Sequence, residues 1–151
     1  MRLTQYTDFS LRVLIYLALR PGQRCRIRDI SEAYGISNNH LMKVVQRLAG
    51  AGFVDSRRGA GGGLELGRPP AEINLADVVS EMEPDFGMVE CMRPDNACVI
   101  TPACALPPVL ARATRAYLDV LREHTLADLL PTRQVEPLKQ LLKIGSEQPV
   151  N

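Results

Sequence analysis

The stretch Ile27-Arg28-Asp29-Ile30-Ser31-Glu32-Ala33-Tyr34-Gly35-Ile36-Ser37-Asn38-Asn39-His40-Leu41-Met42-Lys43-Val44-Val45-Gln46-Arg47-Leu48-Ala49-Gly50-Ala51 decides the fold. Ile27 to Tyr34 reads as a short helix and Gly35-Ile36-Ser37 as a turn. Ser37 or Asn38 then caps a second helix running to about Ala51. In that helix Leu41, Val44, Val45 and Leu48 repeat at helical spacing and point inward, whereas Asn39, Lys43, Gln46 and Arg47 point outward. Helix, short glycine turn, helix is the arrangement of a helix-turn-helix. An outward row of amides and cations suits a DNA major groove, because Asn and Gln pair with adenine edges while Lys and Arg reach guanine edges or phosphates.

The flanking residues extend this reading. Downstream, Phe53-Val54-Asp55-Ser56-Arg57-Arg58 and Leu64-Glu65-Leu66 alternate around Gly59-Ala60-Gly61-Gly62-Gly63, which predicts a β-hairpin. After a helix-turn-helix such a hairpin is a wing, with Arg57 and Arg58 at its tip and glycines that let backbone approach DNA. The same glycines lack the Lys-Ser/Thr of a P-loop and the GxGxxG spacing of a dinucleotide fold. The predicted DNA-facing set is therefore Ser37, Asn38, Asn39, His40, Lys43, Gln46, Arg47, Arg57, Arg58, Gly61 and Gly62. Upstream, a helix is predicted from Thr4 or Thr7 to Arg20, ended by Pro21-Gly22. Leu11, Leu14, Ile15 and Ala18 form one apolar stripe, and Phe9, Val13 and Leu17 make most of the other side apolar too. One edge stays polar, where Asp8 and Arg12 stand four residues apart.

Composition agrees with a mainly α fold carrying a small hairpin. The 151 residues suit one domain, or one domain with a dimerisation appendage. Hydrophobic residues make up 46%, but Trp is absent and aromatics reach only 5%, so aliphatic side chains must build the core. The net charge of +1 hides an asymmetry: residues 1–70 hold 11 Lys/Arg against 5 Asp/Glu, and residues 71–151 hold 7 against 12. A basic amino-terminal half points to a polyanionic partner. The apolar run Phe9–Leu19 is interrupted by Arg12, is too short for a bilayer and lacks a cleavage site. The expected compartment is the cytoplasm, without membrane association, where clustered cysteines are metal ligands or redox groups more often than disulfides.

The remainder divides into further segments. Asn74 caps a helix ending near Glu83, which closes a winged helix-turn-helix domain at 1–83. Pro84 to Pro108 holds five prolines, one glycine and three cysteines without periodicity, and a segment of that kind is functional or disordered. Residues 84–106 form this cysteine-rich loop. A helix from about Pro107 to His124 follows, with Leu110, Ala113, Thr114, Tyr117, Leu118 and Leu121 as its stripe. The simplest cover for that stripe is a second copy, giving a two-fold homodimer through segment 107–130; folding back on its own domain is the alternative. Residues 131–151 read as a loosely held tail.

The spacing Cys91-x6-Cys98-x5-Cys104 carries the chemistry. It matches neither the close pairs of a zinc site nor a CxxC redox motif. Three thiolates spread along a loop suit an iron–sulfur cluster, whose irons take ligands from several directions. Zinc and free or oxidisable thiols stay open on spacing alone. Three cysteines leave one ligand to find; Cys25 is the naive fourth, and neither His40 nor His124 is near in sequence.

The chain resembles the Rrf-type winged-helix family of iron–sulfur regulators, and within it the nitric-oxide-sensing repressors. The resemblance spans roughly residues 1–130. It rests on Met1-Arg2-Leu3-Thr4-Gln5-Tyr6-Thr7-Asp8, on Ile36 to Val45, and on the wing with Arg58-Gly59 and Gly61-Gly62-Gly63. Ile73-Asn74-Leu75, Val89-Glu90-Cys91, Pro102-Ala103-Cys104, Tyr117-Leu118 and Thr125-Leu126-Ala127-Asp128-Leu129 complete it. The resemblance implies a homodimer on a palindromic double-stranded operator and a four-iron four-sulfur, [4Fe-4S], cluster, with [2Fe-2S] as the alternative, held by Cys91, Cys98 and Cys104. In the nitric-oxide-sensing members the remaining ligand is an aspartate on the first helix of the other subunit, and Asp8 stands at that position with Arg12 one turn on beside the cluster. Loss of DNA binding on nitrosylation is the implied function, without enzymatic activity. Regulators of iron–sulfur status in the same family use a histidine three residues after the last cysteine; here that residue is Pro107. The first cysteine gap is also longer than the family's usual one. Such a status regulator is the alternative of the same class, and a cluster-bearing electron carrier or redox enzyme the alternative of another. No flavin or nicotinamide fingerprint supports the latter.

Overall fold

The computed structural model describes residues 2–145. Helix α1 runs Gln5–Ala18, capped by Thr4, whose Oγ1 accepts from Thr7 N at 3.3 Å. Helix α2 is Ile27–Tyr34 and ends on Gly35 at φ 64°, a left-handed conformation that glycine adopts without strain. Helix α3 is Asn38–Gly50, capped by Ser37, which accepts from His40 N at 3.3 Å. These are the elements of the helix-turn-helix. Val13, Leu14, Leu17, Ile30, Leu41, Val44, Leu48, Ile73, Val78 and Met82 close the core between them.

Strands β1 (Val54–Arg57) and β2 (Gly63–Leu66) pair antiparallel, with Val54 opposite Leu66 and Arg57 opposite Gly63. A third chain segment joins the wing: Cys25 N donates to Leu64 O at 3.0 Å, and Leu64 N returns the bond at 2.8 Å. Gly63 makes this approach possible, since a Cβ there would lie 2.8 Å from Cys25 O. Arg24 locks the junction by reaching Asp55 at 2.6 Å, Glu65, and Gly63 O at 3.1 Å.

Helix α4 is Leu75–Met82, capped by Asn74. Helix α5, Leu106–Arg122, packs on α4. Its far end is stitched to the domain by Leu75 N to His124 O at 3.0 Å and Leu126 N to Ile73 O at 2.8 Å, and Leu126 is fully buried.

Two expectations need correction. Of the stripe Leu110, Ala113, Thr114, Tyr117, Leu118 and Leu121, Thr114 is buried and the others lose part of their surface within this chain, on the side that packs on α4, except Ala113, which stays exposed. The face left open is a different one, with Leu106, Val109 and Val120 all about half exposed or more. Segment 131–151 is also not a featureless tail: Thr132–Leu141 forms helix α6, after which Leu142 and Ile144 pack against the core. The stretch from Pro131 to Ile144 carries enough apolar residues (Val135, Leu138, Leu142, Ile144) to dock, despite Pro137 inside the helix. The last six residues, 146–151, lie outside the described ones.

Candidate nucleic-acid interface and cysteine loop

On α3, Ser37, Asn38, Asn39, His40, Met42, Lys43, Gln46 and Arg47 are all exposed, while Leu41, Val44, Val45 and Leu48 are buried. The predicted division of the helix into two faces therefore holds residue by residue. The outward residues are not equivalent. His40 stacks on Phe9 of α1, ring centres 6.3 Å apart. Arg47 sits 5.9 Å from the Tyr6 ring and 3.5 Å from the Glu81 carboxylate. Tyr6 Oη donates to the backbone carbonyl of Lys43 at 2.6 Å. One flank of α3 is thus braced by the first turns of α1, leaving Asn38, Asn39, Met42 and Gln46 free of those contacts.

At the wing Arg57 is the last residue of β1, and Arg58 to Gly61 form an exposed turn. Arg57 Nε lies 3.1 Å from Asp55 Oδ2. Hydrogen bonding from Arg24, with Arg57 nearby, holds the Asp55 carboxyl below its ordinary value. Gly62 turns back toward the hairpin, where a Cβ would meet Arg57 O at 2.4 Å. A side chain has no room there, so the tight tip requires glycine.

The cysteine loop begins at Pro84 and lacks long regular structure. Glu90–Met92 and Thr101–Ala103 are single 3₁₀ turns. Bonds within the loop hold it: Cys98 N donates to Asn96 Oδ1 at 2.9 Å, Asn96 Nδ2 to Thr101 Oγ1 at 3.0 Å, and Ala97 N to Glu90 Oε1 at 3.1 Å. Cys91, Cys98 and Cys104 are free and half-buried. Cys104 Sγ accepts from Leu106 N at 3.4 Å. Among the described residues, no three His, Cys, Asp or Glu side chains gather closely enough to hold a metal ion. The three cysteines and Asp8 are therefore not brought together within one chain.

The donor set nonetheless fits a soft metal group. The loop thiols are uncommitted to disulfides or to the core, and they are accessible. Cys25 is excluded as a partner: it is 2% exposed, and burial pushes its thiol up to about 11. Asp8 lies on the outer side of α1 with its side chain 45% exposed. Arg12 grips both of its oxygens, Nε to Oδ1 at 3.0 Å and Nη2 to Oδ2 at 2.8 Å. The same guanidinium stands 5.9 Å from the Tyr34 ring, whose phenol burial pushes up to about 12.

One connection had no sequence signal. Glu83, the last residue before the loop, is buried, and its Oε1 accepts from Thr4 N at 2.9 Å and Thr4 Oγ1 at 3.1 Å. The base of the loop is thereby fastened to the start of α1. Two residues further on, Tyr6 fastens α1 to α3. A carboxylate at a helix end and a tyrosine near the amino terminus are ordinary in sequence; only their long-range partners distinguish them.

The chain is similar to known regulators along most of its length. The Rrf2 family, described as an iron-dependent transcriptional regulator, matches residues 3–132. The chain is 51% identical over 146 residues to the HTH-type transcriptional regulator NsrR of Bacillus subtilis (strain 168), covering 95% of this chain and 99% of that protein. Among solved structures, CymR of B. subtilis, the global cysteine regulator, superposes with TM-score 0.67 at 26% identity, over 85% of this chain and 95% of that one. IscR of T. potens gives TM-score 0.67 at 25% identity, over 86% of each chain.

Proposed function

The chain belongs to the Rrf2 family of transcriptional regulators, and on that premise we propose that it is a cytoplasmic, homodimeric repressor that releases a palindromic operator in response to nitric oxide. The observation that carries this reading is the pair of tethers on α1. The helix bearing Asp8 is tied by Thr4 to the base of the cysteine loop and by Tyr6 to the backbone of the recognition helix. Anything that pulls on Asp8 or on the loop acts on a helix already bonded to the DNA-reading element.

Cys91, Cys98 and Cys104 are the residues that would hold an iron–sulfur cluster, [4Fe-4S] in the preferred reading, with Asp8 of a second copy as the remaining ligand. When bound, such a cluster supplies iron that reacts with nitric oxide, and a carboxylate is a harder, weaker ligand for it than a thiolate. Arg12 is the competitor for that carboxylate, since it already offers Asp8 a two-pronged bond. Leu106, Val109 and Val120 give α5 an apolar face for a second copy. A two-fold dimer of this kind reads half-sites about one helical turn apart, roughly 10–11 base pairs.

An anaerobic absorbance titration with nitric oxide, run beside an operator gel shift, tests the reading. The expected result is a brown chromophore whose bleaching parallels loss of the shifted band. A colourless protein after anaerobic reconstitution, or a chromophore that bleaches without DNA release, overturns it.

A further inference from the structure

We propose that Met42 is a specificity-determining residue that reads the 5-methyl group of a thymine in the major groove. The inference rests on the DNA-binding reading above and deepens it. Met42 is 55% exposed. The other exposed large apolar side chains among the described residues are Val99, Ile100, Leu106, Val109, Val120 and Leu141, which all lie on the cysteine loop, on α5 or near the carboxy-terminal end. Within the winged helix itself Met42 stands apart.

Its position gives the exposure a purpose. The core needs nothing from it, because Leu41, Val44, Val45 and Leu48 already fill the inward face of α3. Helical spacing places Met42 one turn from Asn38 and Asn39 on one side and from Gln46 on the other, and all of these are exposed. It also lies away from the flank where Phe9 and Tyr6 hold His40 and Arg47. The row is therefore amide, thioether, amide. In the major groove, adenine offers the N7 acceptor and N6 donor that an Asn or Gln side chain pairs with. Its partner thymine presents an apolar methyl in the same groove. A charged residue at position 42 would leave that methyl facing a hydrated group. An unbranched methionine can follow an irregular apolar surface and remove it from water. Amides and Met42 together match a step rich in A·T pairs.

The test isolates one methyl group. The anaerobically reconstituted full chain selects sites from a random double-stranded DNA library. The recovered site is then synthesised with each thymine replaced in turn by uracil in both half-sites, which removes only the methyl. Affinities are measured by fluorescence anisotropy. The expected result is one thymine position at which wild-type binding weakens roughly fourfold per half-site, the effect of burying one methyl-sized group. Met42→Ala binds the thymine and uracil sites equally, and Met42→Leu restores the difference. Uracil without effect at every position, or a thymine preference that survives in Met42→Ala, overturns the proposal and leaves the repressor reading intact. Failure to recover any site overturns both. Because Met42 is exposed, thermal melting of both variants should match wild type, which separates lost recognition from lost folding.

Discussion

Leu41 and Leu48 of the recognition helix are wholly buried, whereas Cys91, Cys98 and Cys104 each keep part of their surface in water. The winged helix, residues 4–83, is held by apolar side chains from every helix meeting in one core. The loop, 84–105, contributes no residue to that core. It is held by short-range bonds through Asn96, Thr101 and Glu90. The first region carries its own stability. The second is shaped by local turns and presents soft donors that packing does not need. For the proposed function this division means that chemistry at the loop can change without unfolding the winged helix.

The largest expected effect tests the division directly. Leu48→Ala should destabilise the chain by about 3 kcal/mol in chemical denaturation, since it opens a cavity in the core. Cys98→Ser should stay within roughly 0.5 kcal/mol in the metal-free protein while abolishing the visible chromophore after reconstitution. Equal costs for the two variants would break the comparison.

The contrast between cysteines gives the next effect. Burial raises the Cys25 thiol from an ordinary value near 9.0 to about 11. The neutral thiol is thus favoured in the fold, and its contribution is full below about pH 9 and lost as pH rises toward 11. Melting temperature should fall over that window, with a loss on the order of 2 kcal/mol, and Cys25→Ala should flatten the fall. Alkylation of native protein at pH 8 should mark Cys91, Cys98 and Cys104 and spare Cys25.

A smaller effect concerns the seam between the regions. Glu83→Ala leaves Thr4 N and Oγ1 without their acceptor, costing about 1 kcal/mol, since the pair is only part-buried and water can replace the carboxylate. Operator affinity should drop as well, because α1 loses its anchor while keeping Tyr6 on Lys43. Melting that falls with affinity unchanged would show that the seam is structural only.

The smallest effects lie on the DNA face. Lys43→Ala should weaken binding and reduce the salt slope by about 0.9 for the phosphate it neutralises. Arg57→Ala should do less, because Asp55 already offsets part of its charge. Unchanged affinity in both variants would displace the interface from α3 and the wing.

Much of the reader was legible in the sequence. The two faces of α3 follow from Leu41, Val44, Val45 and Leu48, because helical spacing fixes which side chains share a side. The wing followed from glycines between alternating segments, and Asp8 with Arg12 from their four-residue spacing. The packing of α5 was only half legible, since an apolar stripe shows that a face will be covered but not by what. The helix at 132–141 was hidden by Pro131 and Pro137, which usually break helices, although Leu142 and Ile144 dock it.

By itself the sequence determined the main helices and the wing before Pro131, the inward and outward faces of α3 and the presence of three cysteines outside any core pattern. These are local properties, set by spacing along the chain. Tertiary structure alone decided that Glu83 meets Thr4 across 79 residues, that Tyr6 braces Lys43 across 37, and that Cys25 is sealed beneath the wing while the loop cysteines are not. Such contacts depend on how separate elements fall against one another as the common core closes. Neither partner of a long-range bond carries a mark of the other in its own neighbourhood.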